Sequence, residues 1–349
     1  MLFEDNVMKA AEKSSIYPPR EIDKWMYSNT PMNFYCKLKE KVLGQDQELR
    51  KAAILVYGFL SAMVKGDFNT RFHFLIEGSS GCGKSTFANA LKAIAPCPVI
   101  IADASQITPA GYRGTDISDL VSTDELRKWY NCGIVILDEL DKLMEPSTIR
   151  DNDNYHRQAL ENCLRMLDGG DITDRDGNVI NCDKMLFIGM GVFSPVRKNI
   201  LETAQRNIGF AVKTCASTNS VSSMQTQKIK KETMSDFCGS EQFLGRFTTV
   251  LHFKKRGKAM YKQILRQLVE DLMFIYGIPF ALSYEQETKI IEEAMVGDFG
   301  CRGIKSAVWE TFLNTDIVIT QQDFEILHME NILSEIESPN FQRKCNWSA

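Results

Sequence analysis

Hydrophobic and polar positions along this chain fall into three regimes. Up to about residue 40, prolines and polar residues interrupt the pattern, as in Tyr17-Pro18-Pro19-Arg20, and leave only short amphipathic pieces, so residues 1–40 read as an arm. A helical period starts near Asp46. From there to residue 253, apolar runs over 72–76, 99–101, 134–137 and 185–189 alternate with helical stretches. The run Gly133-Ile134-Val135-Ile136-Leu137 has no polar position, as expected of a strand covered on both faces. Together these features predict an α/β fold over 41–253 with a doubly wound parallel sheet. Within it, Asp174-Arg175-Asp176-Gly177-Asn178 reads as a tight hairpin. The Ser-, Thr-, Gln- and Lys-rich stretch over 214–240 reads as a mobile insertion. Past Lys254 the period turns helical over 259–274 and 286–295, breaks at Gly297 and Gly300, and resumes at Ile304. Residues 254–349 therefore predict a small, mainly helical domain, with a short strand over 324–327.

Composition narrows the partners. A chain of 349 residues can bury one large core and one small one. A net charge of −4, with 25% charged residues, supplies no field for nucleic acid or an anionic membrane as main partner. The ten cysteines are scattered singly, as at Cys36, Cys97, Cys163 and Cys301, with no CxxC pair, which fits reduced thiols better than disulfides or a zinc ribbon. The start Met1-Leu2-Phe3-Glu4-Asp5-Asn6 lacks a basic region followed by an apolar one, and no apolar run reaches membrane-spanning length. A cytoplasmic location is the expectation.

Two motifs carry chemistry. Gly78-Ser79-Ser80-Gly81-Cys82-Gly83-Lys84-Ser85 fits the phosphate-loop pattern at every fixed position and directly follows the first apolar run. Glycines let successive N–H groups turn inward, and the helix that follows adds the positive end of its dipole. Lys84 is placed to reach the β- and γ-phosphates of a nucleoside triphosphate, and Ser85 to hold Mg²⁺, with Thr86 a weaker candidate. The strand over 134–137 ends in Asp138-Glu139. Asp138 suits the magnesium shell and Glu139 suits polarising a water for in-line attack. Binding and hydrolysis of a nucleoside triphosphate are the implied chemistry.

From about residue 38 to 330 the order of motifs resembles the ClpX family of AAA+ unfoldases, of the Clp/Hsp100 group. Val42-Leu43-Gly44-Gln45 resembles the family's adenine-packing segment, implying base contacts from Val42 and Leu43. Ala110-Gly111-Tyr112-Arg113-Gly114 resembles its pore loop, in which the residue at Tyr112 grips an unfolding polypeptide. Arg113 departs from the small apolar residue usual there. Ser147-Thr148-Ile149-Arg150-Asp151 resembles a second pore-facing loop, although an exposed polar loop reads equally well. The segment around Gly189-Met190-Gly191 resembles the strand that ends beside the γ-phosphate. Phe243-Leu244-Gly245-Arg246-Phe247 resembles the trans-acting finger, and Gly300-Cys301-Arg302-Gly303 the start of the lid helix whose arginine senses nucleotide in cis. Ile208-Gly209-Phe210 matches the tripeptide that such unfoldases present to a ClpP-type peptidase.

The resemblance implies a homo-oligomeric ring, a hexamer, that uses ATP and Mg²⁺ to thread protein substrates through a pore. The family's zinc-binding N-terminal domain has no counterpart in this sequence. Two other readings remain open: a remodelling ATPase that works without a peptidase, and a nucleotide-switched factor on DNA. The latter finds no basic patch to support it.

Overall fold

The computed structural model describes residues 18–107, 116–144, 163–193, 241–277, 279–297 and 300–314. These divide into two compact units: one runs to Ser79 and from Gly83 to Lys254, the other from Lys255 onward together with Ser80–Cys82. The loops around Tyr112, Ser147 and Ile208, the 214–240 stretch and the strand expected over 324–327 lie outside the described residues.

In the first unit the described strands are β1 Phe74–Gly78, β2 Val99–Asp103, β3 Gly133–Asp138, β4 Asp171–Thr173, β5 Val179–Asn181, β6 Met185–Gly191 and β7 Thr249–Phe253. Five of them form one parallel sheet in the order β2-β3-β6-β1-β7. The expected doubly wound α/β fold is what forms. Every residue of β1 and β6 is buried, so both faces of the central strands are covered. On one face Leu75, Val135, Leu137 and Phe187 pack with Leu140, Phe243 and Phe247, each contributing roughly 2 kcal/mol by leaving water. The apolar pattern did not single out β7. It is a short edge strand in which Thr249 and His252 are only half-buried, and those two polar residues break up its apolar run.

Among the described residues the helices of this unit include α1 Pro18–Ser28, α2 Pro31–Lys41, α3 Asp46–Lys65, α4 Lys84–Ile94 and the short α5 Ile117–Val121, α6 Asp124–Lys128, α7 Leu140–Met144 and α8 Glu241–Gly245. Where prolines suggested an arm, residues 18–41 form two helices. Pro18 and Pro31 are the first residues of α1 and α2, where the missing N–H has no intrahelical acceptor to lose. Thr30 caps α2 by accepting the N–H of Asn33 at 3.2 Å. Ile22, Phe34 and Leu38 are fully buried, and Trp25 meets Phe34 edge-on at 5.4 Å. α1 and α2 both lie against α3.

β4 and β5 pair antiparallel, Asp171 opposite Asn181, around the expected tight hairpin. Asp174 makes the turn by accepting the N–H groups of Asp176 and Asn178 at 3.0 and 2.7 Å, and Gly177 takes a φ of +83°. The second unit holds α9 Lys258–Tyr276, α10 Tyr284–Val296 and α11 Cys301–Leu313. Its core gathers Tyr261, Leu265, Leu272, Ile290, Ile304, Val308 and Phe312. Among the described residues no helix is long and apolar enough to cross a membrane. The described cysteines form no disulfide, and burial pushes the Cys132 and Cys163 thiols up to about 12.

Candidate active site

β1 runs directly into the glycine loop. Gly81 and Gly83 take φ of +72° and +108°, left-handed values that a side chain disfavours. Gly83 is the N-cap of α4 and offers no side-chain cap, so the first N–H groups of the helix are left for an anion. Lys84 donates from Nζ to the carbonyls of Gly78 at 2.6 Å and Ser79 at 3.2 Å, which holds its ammonium over the loop. Ser79, Ser80 and Gly81 are half-buried, Cys82 and Gly83 buried, and Ser85 and Thr86 exposed on the first turn of α4. A cradle of glycines, uncapped amides, an ammonium and exposed hydroxyls fits a triphosphate with its magnesium.

Two strands away, β3 ends in Asp138, in register with Asp103 of β2. Asp138 Oδ1 accepts the N–H of Glu139 at 3.0 Å. Glu139 is exposed and has a φ of +54°, a conformation that costs a non-glycine residue about 1–2 kcal/mol. That left-handed step turns the chain off the strand and into α7.

β6 lies between β1 and β3, with Gly189 in register with both Leu75 and Leu137. A Cβ at Gly189 would sit 2.4 Å from Leu140 Cδ2 and 2.6 Å from Leu75 Cδ2, so the glycine makes room for the first residue of α7. A Cβ at Gly191 would meet Asp141 Oδ1 at 2.6 Å. Asp141 is buried, and its Oδ2 accepts the N–H groups of Val192 at 3.2 Å and Phe193 at 3.0 Å. It thus ties the helix after Glu139 to the end of β6. In the sequence, Asp141 has no motif to mark it; its only signal is a third carboxylate just after Asp138-Glu139.

Val42 is fully buried at the end of α2 and Leu43 is half-buried beside it. Gln45, three residues on from Val42, reaches the backbone of Lys254 just past β7. Asp103, at the tip of β2, is held below the usual carboxylate range, chiefly by the Ser105 hydroxyl.

Arg246 stands elsewhere. Its Nε and Nη2 donate to Asp168 Oδ1 and Oδ2 at 2.9 and 3.0 Å, and its Nη1 to the Gln242 carbonyl at 2.8 Å. This fork holds the Asp168 carboxyl below its usual range and raises Arg246, in both cases first through the hydrogen bonds between them. Two residues past Arg246, Thr248 donates its N–H to the His73 carbonyl at 2.6 Å, just before β1 and β7 begin. Arg246 therefore lies at the N-terminal edge of the sheet, whereas Lys84, Asp138 and Glu139 follow strands at its C-terminal edge. A five-residue strand, roughly 16 Å, separates the two edges. The fold gathers Lys84, Asp138 and Glu139 at one edge and leaves Arg246 at the other. In the second unit Arg302 is exposed on the first turn of α11. Buried Arg256, which the sequence reading also missed because it follows two lysines in an apparently solvated basic run, donates from Nη1 to the Gly81 carbonyl at 3.1 Å and to Cys301 Sγ at 2.9 Å.

Residues 69–250, more than half of the chain, match the family model described as AAA domain (Cdc48 subfamily). The chain belongs to the AAA family. This AAA protein is a nucleotide-binding ATPase. It is similar to the ATP-dependent Clp protease ATP-binding subunit ClpX of Bacteroides fragilis, with 24% identity over 318 residues covering 82% of this chain and 76% of that protein. Against the ClpX of Borrelia duttonii identity is 25% over 314 residues, covering 80% and 72%. For the ClpX of Azotobacter vinelandii it is 23% over 322 residues, covering 80% and 72%. The likeness makes this AAA protein an ATPase of the Clp/Hsp100 type.

Proposed function

We propose that this AAA ATPase is a ring-forming protein unfoldase that threads polypeptides through a central pore. The observation that carries the reading is the separation of Arg246 from Lys84, Asp138 and Glu139 by the depth of the sheet. An arginine at the far edge serves a nucleotide held by a neighbouring copy, and a closed ring of head-to-tail contacts, six copies in the ClpX resemblance, supplies one such neighbour to every site.

ATP with Mg²⁺ supplies the scissile γ-phosphoryl group and the cation that shields its charge. Lys84 and the amides of Ser79, Ser80, Gly81, Cys82 and Gly83 bind the phosphates; Ser85, with Thr86 beside it, and Asp138 hold the cation. Val42 and Leu43 give the base a dry side. Glu139, exposed at the strand tip, takes the proton of the attacking water. Arg246 from the adjacent copy stabilises charge on the transferring group, and Arg302 reports nucleotide state within its own chain. Tyr112, between Gly111 and Gly114 with Arg113 at its side, grips the substrate. Ile208, Gly209 and Phe210 dock a ClpP-type peptidase; the ClpX relatives are ATP-binding subunits of an ATP-dependent Clp protease, which supports that partner.

Light scattering of the Glu139→Gln protein tests the reading. With Mg-ATP the mass is expected near six subunits, falling when nucleotide is removed. A monomer under every nucleotide condition would refute the trans role of Arg246.

A further inference from the structure

The Arg246 guanidinium has five N–H donors, of which one each on Nε, Nη2 and Nη1 is committed inside the chain. One donor on Nη1 and one on Nη2 remain. The side chain is about one-third exposed, so those two donors belong to a surface group already held by one flank.

Asp168, the acceptor on that flank, is itself fixed from behind. Arg71 donates from Nη2 to the Asp168 carbonyl at 3.0 Å and from Nη1 to the Asp183 carbonyl at 2.9 Å. His73 is buried; its Nδ1 accepts the Phe187 N–H at 3.1 Å, so its Nε2 carries the proton and donates to the Leu167 carbonyl at 3.0 Å. The turn is shaped for this grip. Gly169 has a φ of +75°, and a Cβ there would lie 2.1 Å from Arg71 Nη2. Arg71 and His73 immediately precede β1, the strand that ends in the phosphate loop, so one segment carries the Asp168 clamp at its start and the phosphate loop at its end.

We propose that Asp168 is a positioning residue for hydrolysis: its carboxylate holds one flank of Arg246 so that the remaining Nη donors face the triphosphate of the neighbouring copy. This rests on Arg246 acting in trans, as argued above. A long arginine free at the surface occupies many rotamers, and fixing it beforehand removes that ordering from the barrier. Arg71 and His73 act one step further back, through backbone carbonyls that any residue at 167 or 168 supplies.

The test is steady-state ATPase kinetics of the full-length protein with Asp168→Asn, Asp168→Glu, Arg246→Ala and the double variant Asp168→Asn/Arg246→Ala. Asparagine keeps the shape and the backbone contacts of the turn, and thermal unfolding checks that the fold survives. The expected result is a kcat lower by about tenfold or more for Asp168→Asn, with KM for ATP within about threefold, partial recovery in Asp168→Glu, and a double variant no slower than Arg246→Ala alone. If Arg246→Ala is crippled while Asp168→Asn turns over within about twofold of the parent, Asp168 does not position the finger and the finger itself stands. A double variant slower by the product of the two single effects overturns the proposal as well, because the carboxylate then acts apart from Arg246. Full turnover by Arg246→Ala removes the trans finger and this inference with it.

Discussion

The side-chain amide of Gln45 pairs with both backbone polar groups of Lys254, donating from Nε2 to its carbonyl at 2.8 Å and accepting its N–H on Oε1 at 3.0 Å. A carboxamide copies the pairing of a strand neighbour here, just beyond the last residue of β7. Gln45 is buried, so neither contact is easily replaced by water. Gln45→Ala is expected to lower stability by about 1–3 kcal/mol, seen as a lower urea midpoint with an unchanged slope. Gln45→Glu, which can accept but not donate, should fall on the same side of the parent. Midpoints equal to the parent in both would show that the pairing contributes nothing.

Gly191 and Asp141 occupy one space. Gly191→Ala drives a methyl to 2.6 Å from Asp141 Oδ1 and displaces the carboxylate that accepts from Val192 and Phe193. The expected cost is about 1–3 kcal/mol, together with a fall in kcat, because α7 follows Glu139 directly. Melting curves and ATPase rates measured side by side check this; a fully active, fully stable Gly191→Ala enzyme contradicts it.

Burial holds His73 down to about 4, against an ordinary value near 6.5, because the imidazolium would lose its hydration in the interior, and the hydrogen bond to the Leu167 carbonyl offsets only part of that. The unfolded chain binds this proton more readily than the folded one. The stability involved is therefore fully present above pH 6.5 and is lost as pH falls from 6.5 toward 4, by up to about 3 kcal/mol in all. Urea titrations at pH 7.5, 6 and 5 should show this slope, and His73→Gln should flatten it. A slope unchanged in the variant would assign the acid sensitivity to other groups.

Lys84→Ala and Glu139→Gln should separate binding from chemistry. The first is expected to lose nucleotide binding, measured with a fluorescent ATP analogue. The second should keep binding within about threefold and lose about a hundredfold or more in kcat. Equal loss of binding in both would mean that Glu139 holds nucleotide rather than activating water.

The chain's local chemistry determined much of this protein. The phosphate loop, the aliphatic run ending in Asp138-Glu139, the hairpin built on Asp174 and Gly177 and the switch to helical period past Lys254 were all legible, because each is a property of residues adjacent in sequence. The prolines and polar residues before residue 40 read locally as an arm, since a proline that starts a helix, as Pro18 and Pro31 do, looks no different in sequence from one that ends it. Only the tertiary structure set β6 between β1 and β3 and so required glycine at 189 and 191. It also joined Gln45 to Lys254 across 209 positions, Arg246 to Asp168 across 78 and Asp141 to Phe193 across 52. No periodicity reports such pairs. A buried amide or carboxylate takes whatever partner the packed strands bring within about 3 Å, and that neighbour is chosen by how the sheet is ordered.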